Sequence, residues 1–294
     1  MNDFPRTIVL GANGQVGSSL IRQLGGSGVG ITRKDADITN KAALFRVLDS
    51  AGPVSALINA AAYTDVEGAE RERERAFAVN AHAPAWAAAW AAEHKIPFAH
   101  FSTEYVFPDG GERYWLEGDA TAPLNAYGES KRAGELAVHE ANQEGVIIRT
   151  SWVYSEQSGN FVRKVLELAK SQQSLTVVSD QVGRPTYAPD LAIPALQIAH
   201  DAALRSKIHG GVLHLASGEP VSKYDFARAI VDTGVSEGVL SRAIPITEIT
   251  TDQLSSSVRR PLRCVLDISL AQSLGLQTKP WRESLVAVVR TARQ

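Results

Sequence analysis

The chain has 294 residues, 44% hydrophobic and 21% charged, which suits one large α/β unit or two lobes and excludes a disordered or fibrous chain. Thirty Lys and Arg against 32 Asp and Glu leave a net charge of -2, so the global basic field of a nucleic-acid binder is missing. The single cysteine, Cys264, excludes an intramolecular disulfide framework and a Cys-rich zinc site, and reads as a small buried apolar residue.

The first residues, Met1-Asn2-Asp3-Phe4-Pro5-Arg6, precede only Thr7-Ile8-Val9-Leu10 before a glycine, too short an apolar run for a signal peptide. Nowhere do about 18 apolar residues run together, so no membrane span is expected, and the chain reads as a protein of a reducing cytoplasm. Residues 7–10 predict a strand and 15–24 the helix that follows it. Further strands are expected at 54–59, 97–102 and 146–153, with helical patterns at 42–50, 76–93 and 126–140. This alternation predicts βαβ units and a doubly wound parallel sheet. The run 67–75 (EGAERERER) mixes signs and reads as a solvated helix face. Trp86 and Trp90, four apart, share a helical face suited to the core or a subunit contact. Seven prolines, from Pro185 to Pro280, punctuate the second half, which reads as a smaller, loop-rich lobe beginning near Trp152.

Gly11-Ala12-Asn13-Gly14-Gln15-Val16-Gly17 follows the first strand and opens the first helix. Gly11 permits the tight turn, Gly14 lets a pyrophosphate approach the backbone, and Gly17 lets the helix pack close to the sheet. The helix N-terminus then offers free N–H donors to the phosphates. At the end of the second strand, where an NAD-binding protein carries an acid, the chain reads Thr32-Arg33-Lys34. Arg33 and Lys34 either contact a 2′-phosphate or are two surface cations in a loop. Asp37 and Ile38 could lie beneath an adenine.

Tyr127 and Lys131, four apart, fall on one face of the 126–140 helix, about 110 residues beyond the glycine turn. A free phenol has a pKa of about 10, and a neighbouring ammonium lowers it toward a useful proton donor. A third pattern, Phe101-Ser102-Thr103-Glu104-Tyr105-Val106-Phe107, lies at the carboxyl end of a strand, where open α/β sheets bind ligands. The seven histidines include no i, i+4 pair, and no metal site is expected.

At these motifs the chain resembles the extended short-chain dehydrogenase/reductases, and within them the dTDP-4-dehydrorhamnose reductase family. The resemblance runs almost end to end through INAAAYTDVEGAE (58–70), VNA (79–81), FSTEYVF (101–107), PLNAYGESKRAGE (123–135), RTSWVYS (149–155), SDQVGRPTYAPDLA (179–192) and RRPLRCVLD (259–267). It implies that Tyr127 gives a proton to the sugar C4 oxygen, Lys131 tunes that phenol and holds the nicotinamide ribose, and Thr103 bonds the ketone. It places Gly14, Gln15 and Val16 at the pyrophosphate, with Ala61, Ala62, Tyr63 and Thr64 along the cofactor and Trp152 at the sugar. The family has STDYVF where this chain has Glu104, one methylene longer, at the substrate edge.

The expectation is an α/β protein with a Rossmann lobe over 1–152, joined by a possible return segment near 185–216, and a smaller α/β substrate lobe over 153–294. Its expected activity is NADPH-dependent reduction, with NADH an alternative donor, of a dTDP-4-keto-6-deoxy-L-hexose, giving dTDP-L-rhamnose by default. The resemblance also implies a homodimer. Two alternatives stand beside this: a related nucleotide-sugar 4-ketoreductase, and a non-catalytic NADP-binding regulatory subunit, a role this fold also serves.

Overall fold

The computed structural model describes residues 4–254 and 257–293; the reading of Met1–Asp3 lies outside them. Six parallel strands form the central sheet: β1 (Thr7–Leu10), β2 (Gly28–Ile31), β3 (Ala56–Asn59), β4 (Phe98–Thr103), β5 (Val146–Thr150) and a last strand, Val212–His214. From one edge the order is Val212–His214, β5, β4, β3, β1, β2. The chain therefore reverses its direction of travel between β1 and β3, where doubly wound sheets open a crevice at their carboxyl ends.

The strands are buried on both faces because helices cover both. Their side chains alternate between the two layers. Val9, Ile58, Ala99 and Ile148 pack with Leu20, Leu24 and the helix Ala188–His200. Ile8, Leu10, Leu57, Phe98 and Ile147 pack with Leu44, Leu48, Trp90 and Val138 from the opposite layer. Trp90 is core, stacked on His94 with its Nε1 donating to Asp49, while Trp86 is only partly buried beside it. Cys264 is buried, and its thiol donates to the Glu104 carbonyl oxygen at 3.1 Å.

A smaller cluster gathers Val162, Leu166, Phe226, Ile230, Trp281 and Leu285 from the helices Phe161–Ser171, Lys223–Ser236 and Trp281–Arg290. A parallel strand pair, Leu175–Val178 with Ile246–Ile249, flanks it.

Two predicted elements are interrupted. The helix expected over 76–93 contains a π-helical turn, Ala78–His82, before Ala83–Glu93. Pro84 carries no N–H, so the carbonyl of Asn80 loses its α-helical partner there. Gly134 packs against that carbonyl so closely that a Cβ would lie 2.0 Å from its oxygen. The strand expected over 146–153 ends at Thr150 and resumes only at Val153–Tyr154. Between them Trp152 adopts φ 42°, a left-handed conformation that strains any residue with a Cβ.

Candidate active site

The glycine turn has the shape its residues predict. Gly11 has φ 75°, and a Cβ on it would stand 2.6 Å from the Ala61 nitrogen on β3's following loop. A Cβ on Gly17 would stand 2.1 Å from the Gly11 carbonyl oxygen. Gly14 caps the helix Gln15–Leu24 without a side-chain bond, leaving its first-turn N–H groups facing outward. Gln15 turns its amide away: Oε1 accepts from Ser155 Oγ at 2.9 Å and from Asn160 Nδ2 at 3.1 Å. Gln157 Nε2 donates to Ser18 Oγ at 2.8 Å, clasping the second lobe to the same helix.

From this turn a groove of about 980 Å³ runs over the carboxyl ends of the strands. Gly11, Asn13, Gly14, Gln15 and Val16 line one part, and Arg33, Asp37 and Ile38 another. Ala61, Ala62, Thr64, Tyr127 and Lys131 complete the expected lining. Two expected residues lie elsewhere. Gly17 is buried in the contact between helix and turn. Tyr63 packs its ring with Ala69, Ala76, Val79 and Ala126, while Ala61, Ala62 and Thr64 around it line the groove. Its backbone is held in both directions by the Asn80 side chain, at 2.8 and 3.0 Å.

The groove also takes in Glu74, Arg75 and residues 157–159, which sequence reasoning missed. Arg75 had been absorbed into a mixed-charge run read as solvated. The charged residues of that run are exposed as expected, on two short helices, Val66–Arg71 and Arg73–Phe77, and only its Gly68 and Ala69 are buried.

These surroundings fit a dinucleotide. Beta-carbon-free positions make room at the turn, and Thr150 Oγ1, buried on the groove, has no hydrogen-bond partner among the described residues. Gly14, Gln15 and Val16 would hold the pyrophosphate, Arg33 and Arg75 the adenosine end, and Lys131 and Thr150 the nicotinamide end.

Asn125 caps the helix Ala126–Ala141 by accepting from Gly128 N at 2.9 Å, which fixes where Tyr127 leaves the helix. Gly128 presses on the Tyr105 carbonyl, where a Cβ would come within 2.2 Å. The Tyr127 ring meets Tyr105 edge-on at 5.5 Å. Burial first, and then the nearby Glu104 carboxyl, raise the Tyr127 phenol above its ordinary pKa, so it holds its proton. Lys131 lines the groove one turn along the same helix. Its Nζ donates to the Phe101 carbonyl at 2.7 Å and lies 3.2 Å from His100 Nε2, and burial brings its pKa down to about 8. Burial and Glu104 thus raise the phenol where the Tyr127/Lys131 spacing led to the expectation of a lowered one.

Thr103, Glu104 and Trp152 stand beside the groove rather than on its lining. Thr103 Oγ1 donates to Glu104 Oε2 at 2.9 Å and interacts with the Tyr127 phenol. Burial, opposed by hydrogen bonds from Thr103 and Ser151 and by the charge of Lys223, pushes the Glu104 carboxyl up to about 7. Lys223 was not anticipated. Its Nζ sits 3.6 Å from the Trp152 ring centre, and burial lowers its pKa to about 7. Gly183 packs on the same indole, where a Cβ would lie 2.5 Å from Cε2. The kink at Trp152 therefore builds a platform for Lys223. Beneath the cluster, Arg149 makes paired bonds of 2.8 Å to Glu135, which also accepts from Ser102 Oγ at 2.6 Å. Among the described residues no group of three or more His, Cys, Asp or Glu is placed to hold a metal.

Comparison with known proteins agrees with this geometry. A dTDP-4-dehydrorhamnose reductase of Aggregatibacter actinomycetemcomitans is 38% identical over 286 residues, covering 95% of this chain and 97% of that protein. One from Burkholderia thailandensis is 36% identical, covering 97% and 98%. The crystal structure of a dTDP-4-dehydrorhamnose reductase from Bacillus anthracis in complex with NADP superposes with a TM-score of 0.86 at 30% identity, covering 97% of this chain and 98% of that one. The family model described as the RmlD substrate binding domain matches residues 5–294, and the chain belongs to that family.

Proposed function

We propose that the protein is an NADPH-dependent reductase of the C4 ketone of a dTDP-4-keto-6-deoxy-L-hexose, with dTDP-4-dehydro-L-rhamnose as substrate and dTDP-L-rhamnose as product. The observation that carries this reading is the convergence of Tyr127 and Lys131 on the groove that begins at the glycine turn, with Thr103 against the Tyr127 phenol. NADPH, when bound, supplies a hydride to the ketone carbon. Tyr127 holds the proton that the ketone oxygen takes up. Its raised pKa keeps the phenol protonated at neutral pH, the state a proton donor needs. Lys131, anchored by the Phe101 carbonyl, fixes the nicotinamide-side wall of the groove. Thr103 orients the ketone, and Trp152 with Glu104 bounds the hexose.

The residue division follows from the same reading: a cofactor lobe over 1–152 with its return segment near 185–216, and a substrate lobe over the remainder of 153–294. The strand Val212–His214, paired parallel with β5, supports the return. No helix among the described residues is long and apolar enough to cross a membrane. We extend the proposal to a cytoplasmic homodimer with no nucleic-acid partner, which light scattering after gel filtration tests.

The direct test is incubation of the purified protein with NADPH and dTDP-4-dehydro-L-rhamnose, following nicotinamide absorbance and identifying the C4 alcohol by NMR. Tight NADPH binding without reduction of this or any related nucleotide-linked 4-ketosugar would favour a regulatory subunit instead.

A further inference from the structure

The Thr103 hydroxyl has one hydrogen and two lone pairs to distribute. Its oxygen accepts from the Tyr105 amide at 3.3 Å, its hydrogen goes to Glu104 Oε2 at 2.9 Å, and the Tyr127 phenol is its remaining hydrogen-bond neighbour. Thr103 and Glu104 are 6% and 3% exposed, so water does not compete for these bonds. With Glu104 ionised, Thr103 has nothing left to donate. It would present a lone pair to the lone pairs of a ketone. With Glu104 as the acid, the carboxyl O–H donates to Thr103 Oγ1 and the Thr103 hydrogen is freed to point outward.

We propose that Glu104 is a positioning residue whose proton sets the direction in which Thr103 donates, so that only the acid form presents a hydrogen-bond donor to the ketone. This rests on the reductase reading given above. No bond to Glu104 is made or broken during turnover: its proton stays on the carboxyl, and the proton that reaches the ketone oxygen is that of Tyr127.

The groups facing Glu104 come from several elements. Thr103 and Tyr105 flank it, Tyr127 belongs to the helix Ala126–Ala141, and Ser151 follows β5. Lys223 opens the helix Lys223–Ser236, Cys264 bonds the Glu104 carbonyl, and Arg260 bears on Lys223 and Tyr105. Lys223 is the cation acting on the carboxyl, favouring its ionised form, and burial outweighs it. A carboxyl raised to about 7 changes state within the working range of the protein. The sign follows: the competent form exists below that value and is lost above it.

Two measurements test this. Infrared titration reads the carboxylic-acid carbonyl without turnover; a band titrating near neutrality in the wild type and missing in Glu104→Gln is expected. Titration of Glu104 in the ordinary carboxylate range would overturn the proposal whatever the substrate. In the pH profile of kcat, the wild type should fall about tenfold per unit above its alkaline pKa. Glu104→Gln, whose amide N–H donates to Thr103 at every pH, should lose that limb, and Lys223→Met should move it upward by roughly one unit. An alkaline limb that survives in Glu104→Gln, or stays in place in Lys223→Met, refutes the role of Glu104. A protein that shows the infrared titration but reduces no 4-ketosugar instead refutes the reductase reading.

Discussion

The Nζ of Lys131 reaches across from its helix to donate to the main-chain oxygen of Phe101 at 2.7 Å. Helix and β4 are thereby fastened beside Tyr127 and Thr103, the two residues proposed to meet the substrate oxygen. The bond is made to backbone, so the register between the two elements does not depend on the side chain at 101.

Replacing Tyr127 by Phe removes the proton donor and leaves the glycine turn intact. Turnover should fall by about 100-fold or more, while the dissociation constant for NADPH stays within about twofold. Steady-state kinetics beside fluorescence titration checks both. Turnover close to wild type would reject Tyr127 as the donor.

Arg33 lines the groove where an acid would stand in an NAD-binding protein. Arg33→Ala should weaken NADPH by roughly tenfold and leave NADH nearly unchanged. Isothermal titration with each dinucleotide decides it, and equal losses for the two would assign Arg33 to the surface.

At Gly17 a methyl group would collide with the Gly11 carbonyl, a backbone atom that cannot rotate away. Gly17→Ala should lower stability by about 1–3 kcal/mol and raise the NADPH dissociation constant, because the turn itself has to move. Urea melts and cofactor titration measure the two effects; a stable variant with normal binding would show the packing to be looser.

Glu135 and Arg149 form a buried pair, each 2% exposed. Burial opposes the Glu135 carboxylate, but the hydrogen bonds and charge of Arg149, with Ser102 and Arg132, outweigh it and hold the pKa below 4.5. A depressed carboxyl stabilises the fold fully above its unfolded pKa and loses that contribution as pH falls through the folded value. Stability should therefore be level across neutral pH in this respect and decline below about 4.5. Glu135→Ala, which strands the Arg149 charge, should lower stability by about 3–5 kcal/mol at pH 7 and flatten the acid decline. Urea melts at several pH values test both statements.

The strands and the glycine turn were legible because their demands are local. β1 and β3 are near-continuous apolar runs buried on both faces, and Gly17 answers to the Gly11 carbonyl within its own turn. What lay hidden depends on folding at a distance. Pro84 was visible, but the π-helical turn it permits also needs Gly134 against the Asn80 carbonyl. Arg75 reaches the groove from the helix Arg73–Phe77, and nothing in its mixed-charge run sets it apart from its neighbours. Lys223 meets Glu104 through the Trp152 kink, and nothing near residue 223 in the chain announces either partner. The side Tyr63 takes was hidden too, because its ring is claimed by Ala69, Ala76, Val79 and Ala126, which later parts of the chain bring against it.

Gln15 belongs to the turn that faces the pyrophosphate, yet its side chain is held by Ser155 and Asn160 of the other lobe. On the proposed reading, one residue thus offers its backbone to one reactant and its side chain to the wall around the other. Two-site thermodynamics makes such an arrangement reciprocal: if seating the dinucleotide tightens this clasp, it sharpens affinity for the sugar nucleotide by some factor, and the sugar nucleotide must sharpen affinity for the dinucleotide by that same factor. A change confined to Ser155 or Asn160, which line neither the glycine turn nor the ketone, would then loosen both reactants together.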